Sequence, residues 1–254
     1  MRPVTPLAIL AHELELLDRR QPSARLDRAR ALASRLDDYL SAMTVPESDR
    51  LAAVNRRTLG HPWARPGGAV ATLEPEMLSG HVEGQLLRFL VAVSGARRVL
   101  EIGTFTGYSA LAMAESLPAD GRLVTCEADP GAAAIARDAF AGCDRITLEE
   151  GPALATLERL ADAGEVFDFA FVDADKTQYW DYLDLAHRRG LFAPGAVVVV
   201  DNTLYQGEVY LDPAHRSPRG EAVAGFNARV AAHPAFEQVL LPLRDGVTLI
   251  RVLT

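Results

Sequence analysis

The run Val99-Leu100-Glu101-Ile102-Gly103-Thr104-Phe105-Thr106-Gly107-Tyr108-Ser109 sets an acid and a glycine at the end of an apolar stretch. A second glycine follows four positions later, and Ser109-Ala110-Leu111-Ala112-Met113-Ala114 opens a helix-forming segment. Strand, tight turn and helix in this order form the place where an open α/β sheet binds nucleotide-like cofactors. Phe105 stands where a dinucleotide-binding turn needs glycine to approach a pyrophosphate. Tyr108 follows Gly107 where a phosphate loop carries lysine. Glu101 would repel phosphates and suits a cationic ligand. A nucleoside with a positive charge and no phosphate answers this description, and S-adenosylmethionine is such a molecule.

Three further segments end in polar groups. Leu123-Val124-Thr125-Cys126-Glu127 closes on an acid 24 residues beyond Gly103, where a carboxylate can accept from both ribose hydroxyls of a nucleoside. The same acid also reads as a solvated loop residue. Phe169-Ala170-Phe171-Val172-Asp173-Ala174-Asp175-Lys176 and Val197-Val198-Val199-Val200-Asp201-Asn202 each bury an apolar run and finish in oxygen donors. Such charges are costly unless they meet a cation or a donor. Asp173, Asp201 and Asn202 offer hard oxygens that suit Mg²⁺, with Mn²⁺ or Ca²⁺ as substitutes; no imidazole or thiolate set for zinc accompanies them. Lys176, one helical step past Asp173, would stand beside the metal as a base. Asp175 reads equally as the acid that starts a helix.

The elements that must position these groups alternate. Strands are expected at 98–103, 122–127, 145–149, 167–173 and 196–201, and helices near 107–116, 131–141, 152–162 and 176–189. This is the pattern of a parallel sheet with helices on both faces. Glu237 to Leu243 and Val247 to Leu253, joined through Arg244-Asp245-Gly246, read as a C-terminal β-hairpin. The whole is a Rossmann-like, doubly wound sheet of seven strands, mostly parallel. Upstream, apolar residues from Pro6 to Leu59 recur at helical spacing, giving two or three helices. Pro22 and Pro46, each followed by a serine within two residues, mark helix starts. Residues 76–93 form a further helix, and the turn-rich stretch Gly60 to Gly68 a loop near the site. Two units are therefore expected: a helical cap or oligomerisation segment over 1–70 and a catalytic domain over 71–254.

The 254 residues suffice for a core without staples, and a net charge of −8 argues against nucleic acid or an anionic membrane as partner. The two cysteines, Cys126 and Cys143, make neither a disulfide framework nor a zinc site. The longest apolar run, Ala196 to Val200, is far short of a membrane span. A soluble cytoplasmic protein is the expectation.

Over roughly residues 75–254 the chain resembles the metal-dependent class I S-adenosylmethionine O-methyltransferases, the group of the caffeoyl-CoA and catechol O-methyltransferases. Six motifs in order carry the resemblance: Glu83-Gly84-Gln85, Glu101-Ile102-Gly103 with Thr106-Gly107-Tyr108-Ser109, Glu149-Glu150-Gly151-Pro152-Ala153, Val172-Asp173-Ala174-Asp175-Lys176, Asp201-Asn202-Thr203-Leu204 and Asp245-Gly246-Val247-Thr248-Leu249. The resemblance implies that Glu101, Gly103, Thr104 and Ser109 hold the methionine part of the cofactor, with Met77 and Ser79 near it. Glu127 takes the ribose, while Ala128 and Gly151, Pro152 and Ala153 line the adenine. Asp173, which also borders the cofactor, binds the metal with Asp201 and Asn202. Lys176 is the implied base, and Tyr205 lies against the substrate ring. The family implies a homodimer. His81-Val82 and Glu127 depart from the family's usual acidic residue and aspartate without touching the chemistry.

Other classes fit less well. A serine hydrolase needs a final glycine where Leu111 stands, and a nicotinamide-dependent oxidoreductase fails at Phe105. A catalytically inactive cofactor-binding scaffold would have lost metal positions, and all are intact. The expected acceptor is a small aromatic with vicinal hydroxyls, of the kind met in bacterial secondary metabolism. A CoA thioester of a phenolic acid is the alternative, with Arg56, Arg57 and Arg65 as candidate phosphate contacts. Residues 1–70 and Tyr205 to His215 are expected to set that choice.

Overall fold

The computed structural model describes residues 3–18, 23–63 and 73–253. Four helices come first, α1 (Pro6–Asp18), α2 (Ala24–Ser34), α3 (Leu36–Met43) and α4 (Asp49–Gly60). Two or three were expected; the extra boundary falls at Arg35, whose backbone closes α2 and opens α3 without a proline or glycine to announce it. Ser23 and Ser48 cap α2 and α4 by accepting from Leu26 N–H and Leu51 N–H, as the proline–serine pattern implied. Most of the expected loop 60–68, Arg65 included, lies outside the described residues.

From α5 (Gly80–Ser94) the chain alternates. It runs β1 (Arg98–Ile102), α6 (Tyr108–Ala114), β2 (Arg122–Glu127), α7 (Pro130–Ala139), β3 (Ile146–Glu150), α8 (Ala153–Asp162), β4 (Phe167–Val172), α9 (Tyr179–Arg188) and β5 (Phe192–Val200), then α10 (Pro218–Ala232), β6 (Phe236–Leu241) and β7 (Val247–Val252). The sheet order is β3-β2-β1-β4-β5-β7-β6, with β1 to β5 parallel and β7 antiparallel to both its neighbours. Chain order reverses between β1 and β4, so the crevice outside their carboxyl ends is where such a sheet takes ligands.

Helices cover both faces. One core joins Leu87 and Val91 of α5, Tyr108, Leu111 and Met113 of α6, and Phe169 and Phe171 of β4. The other joins Tyr182 and Leu183 of α9, Phe226 and Val230 of α10, and Ile250 and Val252 of β7. Leu51 and Val54 of α4 belong to the first of these cores, whereas α1 to α3 bury little beyond Ala33. Gly84 lets α5 meet α6, because a Cβ there would lie 2.7 Å from the Tyr108 ring. The Tyr108 hydroxyl donates to Glu47 Oε2 at 2.6 Å, pinning the segment before α4.

Several boundaries differ from expectation, the first being the helix expected from residue 76, which begins at Gly80 behind a separate 3₁₀ turn at Pro75–Met77. β5 begins at Phe192, running through Pro194 and Gly195; its register against β4 shifts between Phe167 and Phe169, and a bulge of this kind accommodates proline. The segment after Asp175 opens as a 3₁₀ turn, Lys176–Gln178, before α9 begins. The C-terminal hairpin forms, but its loop takes in residues 242–246 rather than Arg244-Asp245-Gly246 alone. Leu204 N–H donates to Asp245 O, Thr203 N–H donates to Gly246 O, and a Cβ at Gly246 would lie 2.6 Å from Leu204 N. The loop is thus shaped by docking onto the segment after β5.

Candidate active site

Gly103 terminates β1 at φ 99°, and a Cβ there would run into the backbone carbonyl of Asp173. Only glycine lets the ends of β1 and β4 close on each other. Gly103 and Thr104 both donate their N–H to Cys126 O at 3.1 Å, tying the turn to β2. Phe105 then adopts a left-handed φ of 49°, and its N–H donates to Glu127 Oε2 at 2.6 Å. Asp129 N–H donates to the other oxygen of Glu127 at 2.8 Å. Burial pushes the Glu127 carboxyl up, and these N–H groups oppose the rise. Gly151 N–H donates to Glu127 O at 2.8 Å, which brings Ala128, Gly151, Pro152 and Ala153 together at the ends of β2 and β3.

Glu101 is fully buried. Thr125 Oγ1 donates to Glu101 Oε2 at 2.5 Å, so Thr104 Oγ1, also 2.5 Å from Thr125 Oγ1, must in turn donate to Thr125. The Ser109 hydroxyl lies near enough to favour the ionised Glu101 carboxyl. Glu101 Oε1 has no partner. Burial, only partly offset by these hydroxyls, pushes the carboxyl up to about 8. A buried acid with one empty oxygen costs stability on its own and fits a cationic ligand. Thr125 was absent from the sequence reading, because its role needs the register that pairs Glu101 with Thr125. Ser79 is buried and Met77 half-exposed in the short segment ahead of α5.

Asp173 and Asp201 follow the register pair Val172–Val200, so they sit on adjacent strand ends. Asp173 N–H donates to Ile102 O at 2.9 Å, and Asp201 N–H to Val172 O at 3.0 Å. Lys176 Nζ contacts Asp173 Oδ1 at 2.5 Å and lies 5.1 Å from the Tyr179 ring centre. The Tyr179 hydroxyl donates to Asp201 O at 3.0 Å. Burial, and then the nearby charge of Asp173, push the Asp201 carboxyl up to about 6. Asn202 and Tyr205 continue from Asp201 with left-handed φ of 56° and 42°. Strain of this sort, held by surrounding structure, gathers at functional sites. Asp175 accepts from Thr177 N–H and Oγ1 and so serves as the start of the turn.

Sequence reading gave no individual role to Glu83 or Arg244. Glu83, in α5, is 1% exposed and pairs through Oε2 with Arg244 Nη1 at 3.1 Å. Its carboxyl is also within hydrogen-bonding reach of Asp201 and is pushed up, chiefly by burial and then by Asp201. Arg244 Nη1 and Nη2 donate to Leu78 O at 3.2 Å, bridging the β6–β7 loop to the Met77–Ser79 segment. Among the described residues, no three His, Cys, Asp or Glu side chains form a ready-made metal cluster. The donor chemistry fits a hard divalent cation nonetheless: Asp173, Asp201 and Asn202 supply oxygens at adjacent strand ends, and Glu83 Oε1 near Asp201 is buried without a partner.

Elsewhere, Cys126 is buried and its thiol pushed up to about 12, in keeping with a small core residue. His187, in the last turn of α9, sits edge-on to Phe236 and His233, with centroids 5.1 and 5.4 Å away. No helix among the described residues is long and apolar enough to cross a membrane.

A family model described as O-methyltransferase matches residues 68–253. An O-methyltransferase of Aspergillus thermomutatus is 40% identical over 192 residues, covering 69% of this chain and 79% of its own. A catechol O-methyltransferase of Niastella koreensis is 32% identical over 212 residues, 82% of this chain and 90% of its own. A Bacillus cereus O-methyltransferase, solved in complex with SAH, superposes with a TM-score of 0.72 at 32% identity, covering 85% of this chain and 96% of that one. With the motifs on the strand ends of the same sheet, the chain belongs to the O-methyltransferase family of the catechol and caffeoyl-CoA enzymes.

Proposed function

We propose that the protein moves the methyl group of S-adenosylmethionine to one hydroxyl of a small aromatic acceptor with vicinal hydroxyls, assisted by Mg²⁺. The observation that carries this reading is the meeting, at one switch point, of the unpartnered oxygen of Glu101 with the Lys176–Asp173 pair and Asp201. Glu101, with Ser109 and the Gly103–Thr104 backbone, holds the cationic methionine end near Met77 and Ser79. Glu127 takes the ribose hydroxyls, and Ala128 with Gly151 to Ala153 lines the base. Asp173, Asp201 and Asn202 would hold the cation. When bound, it lowers the pKa of a coordinated hydroxyl, as it does for water.

Lys176 Nζ, as the neutral amine, accepts the proton of the attacked hydroxyl and becomes the ammonium that pairs with Asp173 Oδ1. The acceptor oxygen forms its bond to the methyl carbon as the carbon–sulfur bond breaks in line, leaving S-adenosylhomocysteine. Positioning supplies most of the rate in such a step. Tyr205 flanks the acceptor ring. Between α1, α2 and the Pro75–Leu78 segment lies a cavity of about 810 Å³ that also touches Arg244. Arg57, one arginine that a CoA thioester could use, is paired with Asp138 at 2.7 Å.

The test is a mass-spectrometric screen of catechols with S-adenosylmethionine, with and without Mg²⁺. Methyl transfer that stops on chelation and returns with Mg²⁺ is the expected result. Transfer that survives exhaustive chelation refutes the metal's part. Tight cofactor binding without transfer to any vicinal diol refutes the acceptor class.

A further inference from the structure

Glu83 is the residue of this crevice that the mechanism above leaves unused. Its side chain is 1% exposed, it reaches the Asp201 carboxylate, and Oε1 has no partner. Oε2 is fixed by Arg244, from a loop 161 residues away in sequence. Arg244 itself holds a left-handed φ of 49°, which a residue with a Cβ keeps only where the surroundings enforce it. A plain structural salt bridge accounts poorly for this arrangement. A buried ion pair repays its desolvation only when the remaining lone pairs are satisfied, and here one oxygen is left without a partner while a second carboxylate, Asp201, stands nearby. One guanidinium thus faces two acids, and the open oxygen lacks a donor.

We propose that Glu83 is an outer carboxylate of the cation site: it accepts from water on the metal held by Asp173, Asp201 and Asn202, while Arg244 fixes its orientation. The inference rests on the metal-assisted reading above. Mg²⁺ keeps several of its waters when bound by proteins, and those waters need acceptors. An outer position also agrees with the absence, among the described residues, of three acidic, His or Cys side chains close enough to ligate directly. Outer-shell partners of this kind change metal affinity by about 10–100-fold when removed. Arg244 acts through Glu83 and is a positioning residue. It also lines the 810 Å³ cavity between α1, α2 and the Pro75–Leu78 segment.

The experiment measures Mn²⁺ affinity of the full chain saturated with S-adenosylhomocysteine, by electron paramagnetic resonance of free Mn²⁺. Glu83→Gln, nearly isosteric, should weaken Mn²⁺ by about 10–100-fold, with affinity for S-adenosylhomocysteine unchanged. Glu83→Asp, which keeps the charge, should recover part of the loss. Arg244→Lys, which retains a cation but loses the fork, should weaken Mn²⁺ in the same direction and guards against a Glu83→Gln protein that fails to fold. Wild-type Mn²⁺ affinity in folded Glu83→Gln or in Arg244→Lys overturns the proposal, leaving the pair a structural tie. A wild-type protein that binds no Mn²⁺ overturns the metal-assisted reading itself, and this inference with it.

Discussion

Glu101→Gln isolates the energetic cost of keeping an acid ready for a cation. In the free protein the Glu101 carboxyl is raised from 4.5 to about 8, chiefly by burial. Between these values the folded state holds the proton and the unfolded chain has released it. The folded state therefore binds more protons, and stability falls as pH rises. The slope is about 1.4 kcal/mol per pH unit, so the loss reaches about 3 kcal/mol at pH 7 and about 5 kcal/mol above pH 8, where it levels off. Glutamine keeps the shape and an acceptor for Thr125 but has nothing to ionise. Urea unfolding of both proteins without ligand, from pH 5 to pH 9, should show wild type losing stability relative to Glu101→Gln along this curve.

The same proton reports on the ligand. A cationic methionine end stabilises ionised Glu101, so binding of S-adenosylmethionine near pH 7 must expel the proton. Calorimetry in buffers of different ionisation enthalpy should find close to one proton released by wild type and none by Glu101→Gln, whose affinity should also drop. Parallel pH–stability curves for the two proteins, or no proton release by wild type, would refute the assignment of Glu101 as the cation's partner.

Other perturbations separate the remaining roles. Lys176→Ala should lower kcat by about 100-fold or more while S-adenosylmethionine affinity stays near wild type; equal losses in both would make Lys176 structural. Gly103→Ala meets both a φ of 99° and the Asp173 carbonyl, so it should cost at least about 3 kcal/mol in urea unfolding and abolish cofactor binding. A wild-type midpoint would show that the strand ends are not as tightly closed as described. Tyr108→Phe removes the 2.6 Å hydrogen bond to Glu47, and should cost about 1–3 kcal/mol and speed hydrogen exchange over residues 45–48. Unchanged exchange there would show that the contacts of Ser48 Oγ with Glu115 and of His81 Nε2 with Val45 O hold the segment without it.

The strand ends could be read from the chain for a topological reason. In a parallel sheet every strand finishes on the same side, so Glu101, Glu127, Asp173 and Asp201 must share one edge whatever their separation in sequence. Strand, glycine and helix signals are local, and they sufficed to place the turn at Gly103 and seven strands along the chain, though not their order in the sheet. The misplaced boundaries share the opposite property. Pro194-Gly195 reads locally as a breaker, yet the register shift beside Phe167 lets β5 run through it. Asp245-Gly246 reads locally as a tight turn, yet contacts with Thr203 and Leu204 pull the loop open.

Arg244 follows from that second case. Sitting between two strands and beside Asp-Gly, it has the local signature of a solvated turn residue. Docking of the loop onto the segment after β5 turns it inward toward Glu83 and Leu78. The strand-end acids of the crevice are legible because topology alone gathers them. Glu83 and the cation that orients it are not, because their pairing depends on the β6–β7 loop docking against α5 and the segment after β5.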